Sequence, residues 1–278
     1  MGTLYLVATP IGNLEDITAR ALRILTEVSL IAAEDTRRTR KLLHQYAIQT
    51  PLTSYHEHNK IKKLADVLTA LDQGDVALVS DAGTPALNDP GYELVRAAIE
   101  AGYPVSPVPG ASAPIAALVV SGLPTDTFLY LGYLPRKRQA RRRALAGLED
   151  LPYTLIFLEA PHRLLAALED IAAALGERQL AIARELTKLH EEIFRGLPGA
   201  AHTHFSLHPP KGEITLVISG KHPETGRVWD EAQVRAVLKK HLQTGSPPSQ
   251  IAKEVAGVSG WDRREVYRLL ADLAELDE

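Results

Sequence analysis

At 278 residues, with 45% hydrophobic and 23% charged side chains, the chain has the balance of a globular protein and room for two ordinary domains plus a small module. A formal net charge of −3 excludes a polycation that grips nucleic acid by global attraction, so any such contact must come from a local basic face. The lack of cysteine excludes disulfides, thiolate metal sites and a cysteine nucleophile, and no apolar run approaches the roughly 20 residues of a membrane span. Met1-Gly2-Thr3 leads into a strand-like run without a secretory pattern, and Leu6 stands where a myristoylation signal needs Ser or Thr. A cytoplasmic location is the expectation.

Strand-like runs alternate with helical patterns through the first part of the chain. Residues 4–8 form an apolar run that stops at Thr9-Pro10-Ile11-Gly12-Asn13, ahead of a helix over 15–27. Strands are predicted at 29–33, 51–55, 76–80 and 105–108, and helices at 37–46, 60–71, from Pro90-Gly91 to 101, and 112–120. Unbroken apolar strands between helices imply a parallel sheet covered on both faces, with ligands beyond the carboxyl ends of the strands. The rhythm then changes. A strand at 128–134, a basic helix at 138–148, a strand at 153–158 and a helix running to 175 precede three strands at 179–184, 192–196 and 213–219. Little helix is expected between those three, which implies antiparallel or mixed pairing. Residues 221–227 read as a linker. Three helical patterns follow at 230–242, 248–255 and 262–274, with turn clusters Gly245-Ser246-Pro247 and Gly257-Val258-Ser259-Gly260. These are helix-turn-helix proportions. The expected division is an N-terminal α/β domain (1–122), a mixed-sheet α+β domain (123–220), a linker (221–228) and a helix-turn-helix-like module that binds RNA (229–278).

Charge gathers at the strand ends. Glu34-Asp35-Thr36-Arg37-Arg38-Thr39-Arg40 puts two carboxylates where a strand yields to an arginine-rich helix. One reading makes Asp35 a helix cap and the arginines a solvated face. The other makes a substrate site, its carboxylates holding a sugar hydroxyl or acting as base while arginines contact phosphate. In Ser80-Asp81-Ala82-Gly83-Thr84-Pro85-Ala86, Gly83 lets a ligand approach the backbone and Asp81 can accept from an amine or ribose. A capping aspartate on a tight turn is the alternative. Val108-Pro109-Gly110-Ala111-Ser112-Ala113 leaves room for a flat ligand. Leu158-Glu159-Ala160-Pro161-His162-Arg163, Arg184-Glu185-Leu186-Thr187-Lys188 and Pro210-Lys211-Gly212-Glu213 again put charge at strand ends, with ion pairs between strands as the competing reading. His56 and His58 have the spacing of a metal pair, but no third ligand is obvious. Polar contact with a substrate is preferred and no metal is assigned. Arg136-Lys137-Arg138-Gln139-Ala140-Arg141-Arg142-Arg143 carries six cations in eight positions with no acid, which favours phosphate contact over a solvated face.

Taken in order, these blocks, together with residues 4–22, Ser54-Tyr55-His56-Glu57-His58-Asn59 and Leu134-Pro135-Arg136-Lys137, span almost the whole chain. The set resembles the ribosomal-RNA-modifying branch of the tetrapyrrole methylase superfamily. The resemblance implies a two-domain methylase body with the cofactor in the cleft between the domains, usually a homodimer, plus a helix-turn-helix extension. It implies methylation, dependent on S-adenosyl-L-methionine, of the ribose 2′-oxygen of a decoding-centre cytidine in 16S rRNA, within the small ribosomal subunit and away from membranes. Carried over by motif, the cofactor site draws on Pro10, Asp81, Gly83, Thr84, Ser112, Ala113, Leu158, Leu186 and Ile214. Leu158 and Ala160 depart from the Tyr and Ser that relatives often carry there. A ribose hydroxyl is a weak nucleophile, so a base is expected, in the order Glu34, Asp35, Glu159, then His56. RNA contacts are expected from Arg37, Arg38, Arg136, Lys137, Arg138, Arg141, Arg142 and Arg143. Two rival readings are a small-molecule (tetrapyrrole) methylase of the same superfamily and a DNA-binding regulator that uses the terminal helices.

Overall fold

A computed structural model of the chain describes residues 1–221, 229–242 and 247–276. Its first sheet is built from β1 (Leu4–Val7), β2 (Leu30–Ala33), β3 (Leu52–Ser54), β4 (Val76–Val79) and β5 (Val105–Val108). All pairs are parallel, in the order β3-β2-β4-β1-β5. Helices α1 (Ala19–Glu27), α2 (Thr36–Gln45), α3 (Lys60–Gln73), α4 (Tyr92–Glu100) and α5 (Ala113–Ser121) make the connections. The four residues of β4 are all buried, as expected of a strand covered on both faces. The order has a functional consequence. Because β1 lies between β4 and β5, and β2 borders β4, the segments leaving these four strands emerge side by side.

The second sheet runs β6-β7-β10-β8-β9, from β6 (Phe128–Tyr133), β7 (Thr154–Glu159), β8 (Leu180–Arg184), β9 (Glu192–Gly196) and β10 (Ile214–Ile218). Only β6 and β7 pair in parallel. Helices α6 (Arg138–Ala146) and α7 (Leu164–Leu175) cover it, with α8 (Pro198–Leu207) between β9 and β10. The sequence pattern gives little sign of α8, because it buries only Pro198, Ala201 and Phe205 and carries polar residues between them. The expected helix over 15–27 also starts later. Asn13 caps a single tight turn at Leu14–Asp16, and Thr18 then caps α1 by accepting from Ala21 N at 3.0 Å.

Helix α5 packs on the second sheet. Its Ala117 and Leu118 join Ile11, Ile156, Ala181, Ala183, Leu186 and Val217 in one buried cluster, so both sheets and the segments at their ends are fixed together. Met1–Glu149 and Tyr153–Ser219 form one compact unit, and the remaining described residues a second. In that second unit α9 (Glu231–Leu242), α10 (Pro248–Ser259) and α11 (Arg263–Leu276) enclose their own core, including Val234, Leu238, Ile251, Val255, Val266 and Leu270. Helix α10 continues through the expected turn at Gly257 and stops at Gly260, whose φ of 73° supplies the left-handed cap. The expected linker over 222–228 and the Gly245-Ser246 part of the other turn lie outside the described residues. No described helix is long and apolar enough to cross a membrane.

Candidate active site

The segments leaving β1, β2, β4 and β5 meet the edge of the second sheet around a cleft of about 370 Å³, within the usual range for small-molecule sites. Thr9 and Gly83 exchange backbone hydrogen bonds at 2.9 Å in both directions, which locks the segment after β1 to the segment after β4. Gly83 holds φ at 78°, a conformation that costs glycine little. Thr84 Oγ1 donates to Ala111 O at 3.3 Å and ties in the segment after β5. Backbone edges and small side chains (Ala82, Gly83, Ser112, Ala113) form one wall, and Ile11, Leu158 and Ile214 make it apolar.

Carboxylates dominate the rest. The Asp81 N–H donates to Glu34 Oε2 at 3.2 Å, while the Asp35 N–H donates to Asp81 Oδ1 at 3.0 Å. Arg38 Nη1 lies 3.3 Å from Asp81 Oδ2. Burial pushes the Glu34 carboxyl up, against the opposing pull of the Asp81 N–H. Asp89, Glu159 and Glu213 complete the lining, with Arg38 as its cation.

Asp89 is the residue that sequence reading misses. Burial, reinforced by the Glu34 charge, pushes its carboxyl up to about 6. In the sequence it is only part of Asn88-Asp89-Pro90-Gly91, a helix-start signal. What turns it into the cleft is a strained stretch in which Ala86 and Asn88 take φ of 66° and 64°. Tyr130 and Tyr133 are also missed. They stand on β6, paired with Ile156 and Leu158 of β7, so this wall carries phenols although positions 158 and 160 lack hydroxyls. Burial raises both tyrosines, Tyr130 to about 12.

The remaining candidates separate into groups. Asp81, Gly83, Thr84, Ser112, Ala113, Leu158 and Ile214 line the cleft, and Leu186 lines a small recess that opens from it. Pro10 does not line it; its neighbour Ile11 does. Glu159 lines the cleft but is tied down: Arg163 Nε lies 3.0 Å from Oε1, and the Ala160 N–H donates to the same oxygen at 2.8 Å. Burial nevertheless raises its carboxyl. Asp35 and His56 lie in a neighbouring depression, together with Arg37 and His58. Asp35 is the N-cap of α2, and Arg37 donates to it from Nε at 3.0 Å and from Nη2 at 2.7 Å. Those bonds hold its carboxyl well below the ordinary range, which weakens it as a base. Among the described residues no group of three or more metal-ligating side chains is close enough to hold a metal ion.

The basic run also divides, and the RNA contact expected of Arg141 is corrected. Arg141 is 4% exposed, its Nη2 lies 2.6 Å from the fully buried Asp170, and it donates to backbone carbonyls of residues 135, 136 and 166. Arg138 and Arg142 are exposed but bind the same carboxylate, at 3.2 and 2.6 Å. Arg136, Lys137 and Arg143 are exposed and have no acidic partner among the described residues.

Comparison with known proteins agrees with this architecture. The family model of the tetrapyrrole (corrin/porphyrin) methylases matches residues 3–201, and that of the RsmI C-terminal HTH domain matches residues 230–274. A Synechocystis sp. protein named ribosomal RNA small subunit methyltransferase I is 48% identical over 275 residues, covering 98% of this chain and 99% of its own. A Thermotoga maritima protein of the same name is 51% identical over 222 residues, 80% of this chain and 100% of its own. Among solved structures, uroporphyrin-III-C-methyltransferase from Thermus thermophilus aligns with a TM-score of 0.56 at 22% identity, over 78% of this chain and 94% of that one. Another structure of that methyltransferase, complexed with S-adenyl homocysteine, aligns with a TM-score of 0.54 at 19% identity, over 78% of this chain and 97% of that one. The chain belongs to the tetrapyrrole methylase family, among its ribosomal RNA small subunit methyltransferases I.

Proposed function

We propose that this chain methylates 16S rRNA of the small ribosomal subunit, using S-adenosyl-L-methionine, at the ribose 2′-oxygen of a decoding-centre cytidine. Support comes from one observation above all: near-full-length similarity to proteins named for small-subunit rRNA methylation coincides with an intact, carboxylate-rich cleft at the strand ends. We also take it to act as a cytoplasmic homodimer, with 1–122 and 123–220 as the two halves of the catalytic body and 229–278 as an RNA-binding module.

The cleft suits the methyl donor by the chemistry of its lining. Small residues at Gly83, Ser112 and Ala113 leave room for a flat ring, and Asp81 and Asp89 face a cationic group with one arginine to offset them. Asp81, Gly83, Thr84, Ser112, Ala113, Leu158, Ile214 and, in the recess, Leu186 would hold it. When bound, S-adenosyl-L-methionine supplies an electrophilic methyl group on a sulfonium. Glu34 is the base. Its Oε2 is fixed by the Asp81 N–H, no described residue donates to Oε1, and burial makes it a stronger proton acceptor than a solvated glutamate. The apolar wall excludes water, so the developing alkoxide is stabilised by fixed groups rather than by solvent.

Small subunits lacking the modification, incubated with the chain and labelled methyl donor, acquire label in 16S rRNA at a ribose oxygen. Label in a tetrapyrrole but not in RNA would overturn the reading in favour of a pigment methylase. Glu34→Gln binds methyl donor normally and loses roughly 10²- to 10⁴-fold in turnover. Full turnover in that variant would remove Glu34 from the role.

A further inference from the structure

The depression beside the cleft is lined by Glu34, Asp35, Arg37, Ser54, His56 and His58, with a volume of about 340 Å³. Among these residues Glu34 is the one that also lines the cleft, so it borders both spaces. The wall opposite Glu34 is held rigidly. Asn59 accepts from the His56 N–H at 2.8 Å and donates to Ser54 Oγ at 3.0 Å, which fixes the segment after β3. The two imidazoles meet edge to face, with ring centres 6.1 Å apart. Neither ring has a hydrogen-bond partner among the described residues, so the clamped segment presents two rings with their polar atoms available. Arg37 stands exposed at the rim, with Nε and Nη2 engaged by Asp35 and Nη1 turned to no described acceptor.

We infer that this depression is the acceptor site, which takes one unstacked ribonucleotide of the RNA, with its ribose against Glu34, its base against His56 and His58 and its phosphate near Arg37. The inference rests on the methyltransferase reading and adds to it where the nucleotide sits. The chemistry fits that ligand class. Single-stranded RNA is recognised by unstacked bases on aromatic side chains, with phosphates on guanidinium groups. The reaction needs the ribose oxygen at the boundary with the methyl donor, and Glu34 is at that boundary.

The test is a coupling cycle on the full chain. His58→Ala and His56→Ala are each measured for binding to an oligoribonucleotide of decoding-centre sequence, and to the same strand with the target nucleotide made abasic. Each variant should weaken binding of the intact strand roughly ten- to a hundredfold, with methyl-donor affinity unchanged. All proteins should bind the abasic strand alike, a coupling that a general loss of structure would not produce. Equal losses on both strands, or no loss on the intact one, would overturn the acceptor site. Failure of the wild-type chain to label small subunits would instead overturn the methyltransferase reading, whatever the cycle gives.

Discussion

Asp35 and Asp89 border adjacent spaces, and their surroundings drive them in opposite directions. Hydrogen bonds from Arg37 hold Asp35 ionised, while burial and the nearby Glu34 charge raise Asp89 from 3.8 to about 6. The fold therefore favours the protonated form of Asp89. Its contribution to stability is fully present below pH 3.8 and is lost as pH rises through about 6, so its carboxylate is a cost at neutral pH. Asp89→Asn should then melt at a higher temperature than wild type, with a difference that grows between pH 5 and 7. The same change removes an anion from the cleft and, if the proposed donor site is right, weakens methyl-donor binding roughly 10- to 100-fold at pH 7.5. Wild-type affinity should fall as pH drops through about 6, and the variant should lose that dependence. Thermal melts and calorimetric titrations across pH check both halves, and unchanged donor affinity in Asp89→Asn would refute the role. The capping role of Asp35 was open to sequence reading, because an aspartate before a helix has a known local use. Asp89 was not, because its direction depends on the positive φ of Ala86 and Asn88, which neither residue type announces.

Helix α6 shows the same limit one level up. Its basic pattern marks a surface helix, but the pattern cannot say which cation points inward. The answer lies on α7, where Asp170 is buried and collects Arg138, Arg141 and Arg142. Burial alone would raise that carboxyl, yet the three guanidiniums hold it below the ordinary range. Removing one partner of such a buried pair leaves the other uncompensated, so Asp170→Asn should cost about 3–5 kcal/mol in chemical denaturation. Replacing Arg136, Lys137 and Arg143 together should leave stability within about 0.5 kcal/mol and flatten the salt dependence of RNA binding. For a single strand, every phosphate that is no longer neutralised lowers the logarithmic slope by about 0.7. An unchanged slope would return α6 to a solvated face. Most element positions were legible for a related reason: apolar runs bounded by Gly, Pro and Asn are local signals. Helix α8 was not, since its stripe of three small or aromatic side chains is recognisable only once the sheet beneath it exists.

At the scale of the molecule, a net charge of −3 has to coexist with a polyanionic substrate class, ribosomal RNA. The charge is unevenly spread: Glu34, Asp81, Asp89, Glu159 and Glu213 line the cleft against Arg38, while Arg136, Lys137 and Arg143 stand exposed outside it. In the second unit, Arg264, Tyr267, Arg268 and Ala271 follow helical spacing along the exposed face of α11, the second helix of the helix-turn-helix pair. Neither arginine has an acidic partner among the described residues, and the phenol between them offers a stacking surface. The Thermotoga maritima relative, matched over its whole length by 222 residues of this chain, indicates that the family also exists at a shorter length. The core of the first unit draws on its own two sheets. A chain ending at Lys221 should therefore fold, bind methyl donor with wild-type affinity and keep the Lys221 N–H bond to Leu151 O. It should bind decoding-centre RNA more weakly, with a shallower salt slope, and Arg264→Ala with Arg268→Ala in the full chain should reproduce part of that loss. Filter binding at several salt concentrations, beside donor titrations on the same preparations, separates the two functions. If the shortened chain gripped RNA as tightly as the full one, the terminal helices would need another purpose, and the RNA grip would fall to the cations of the first unit.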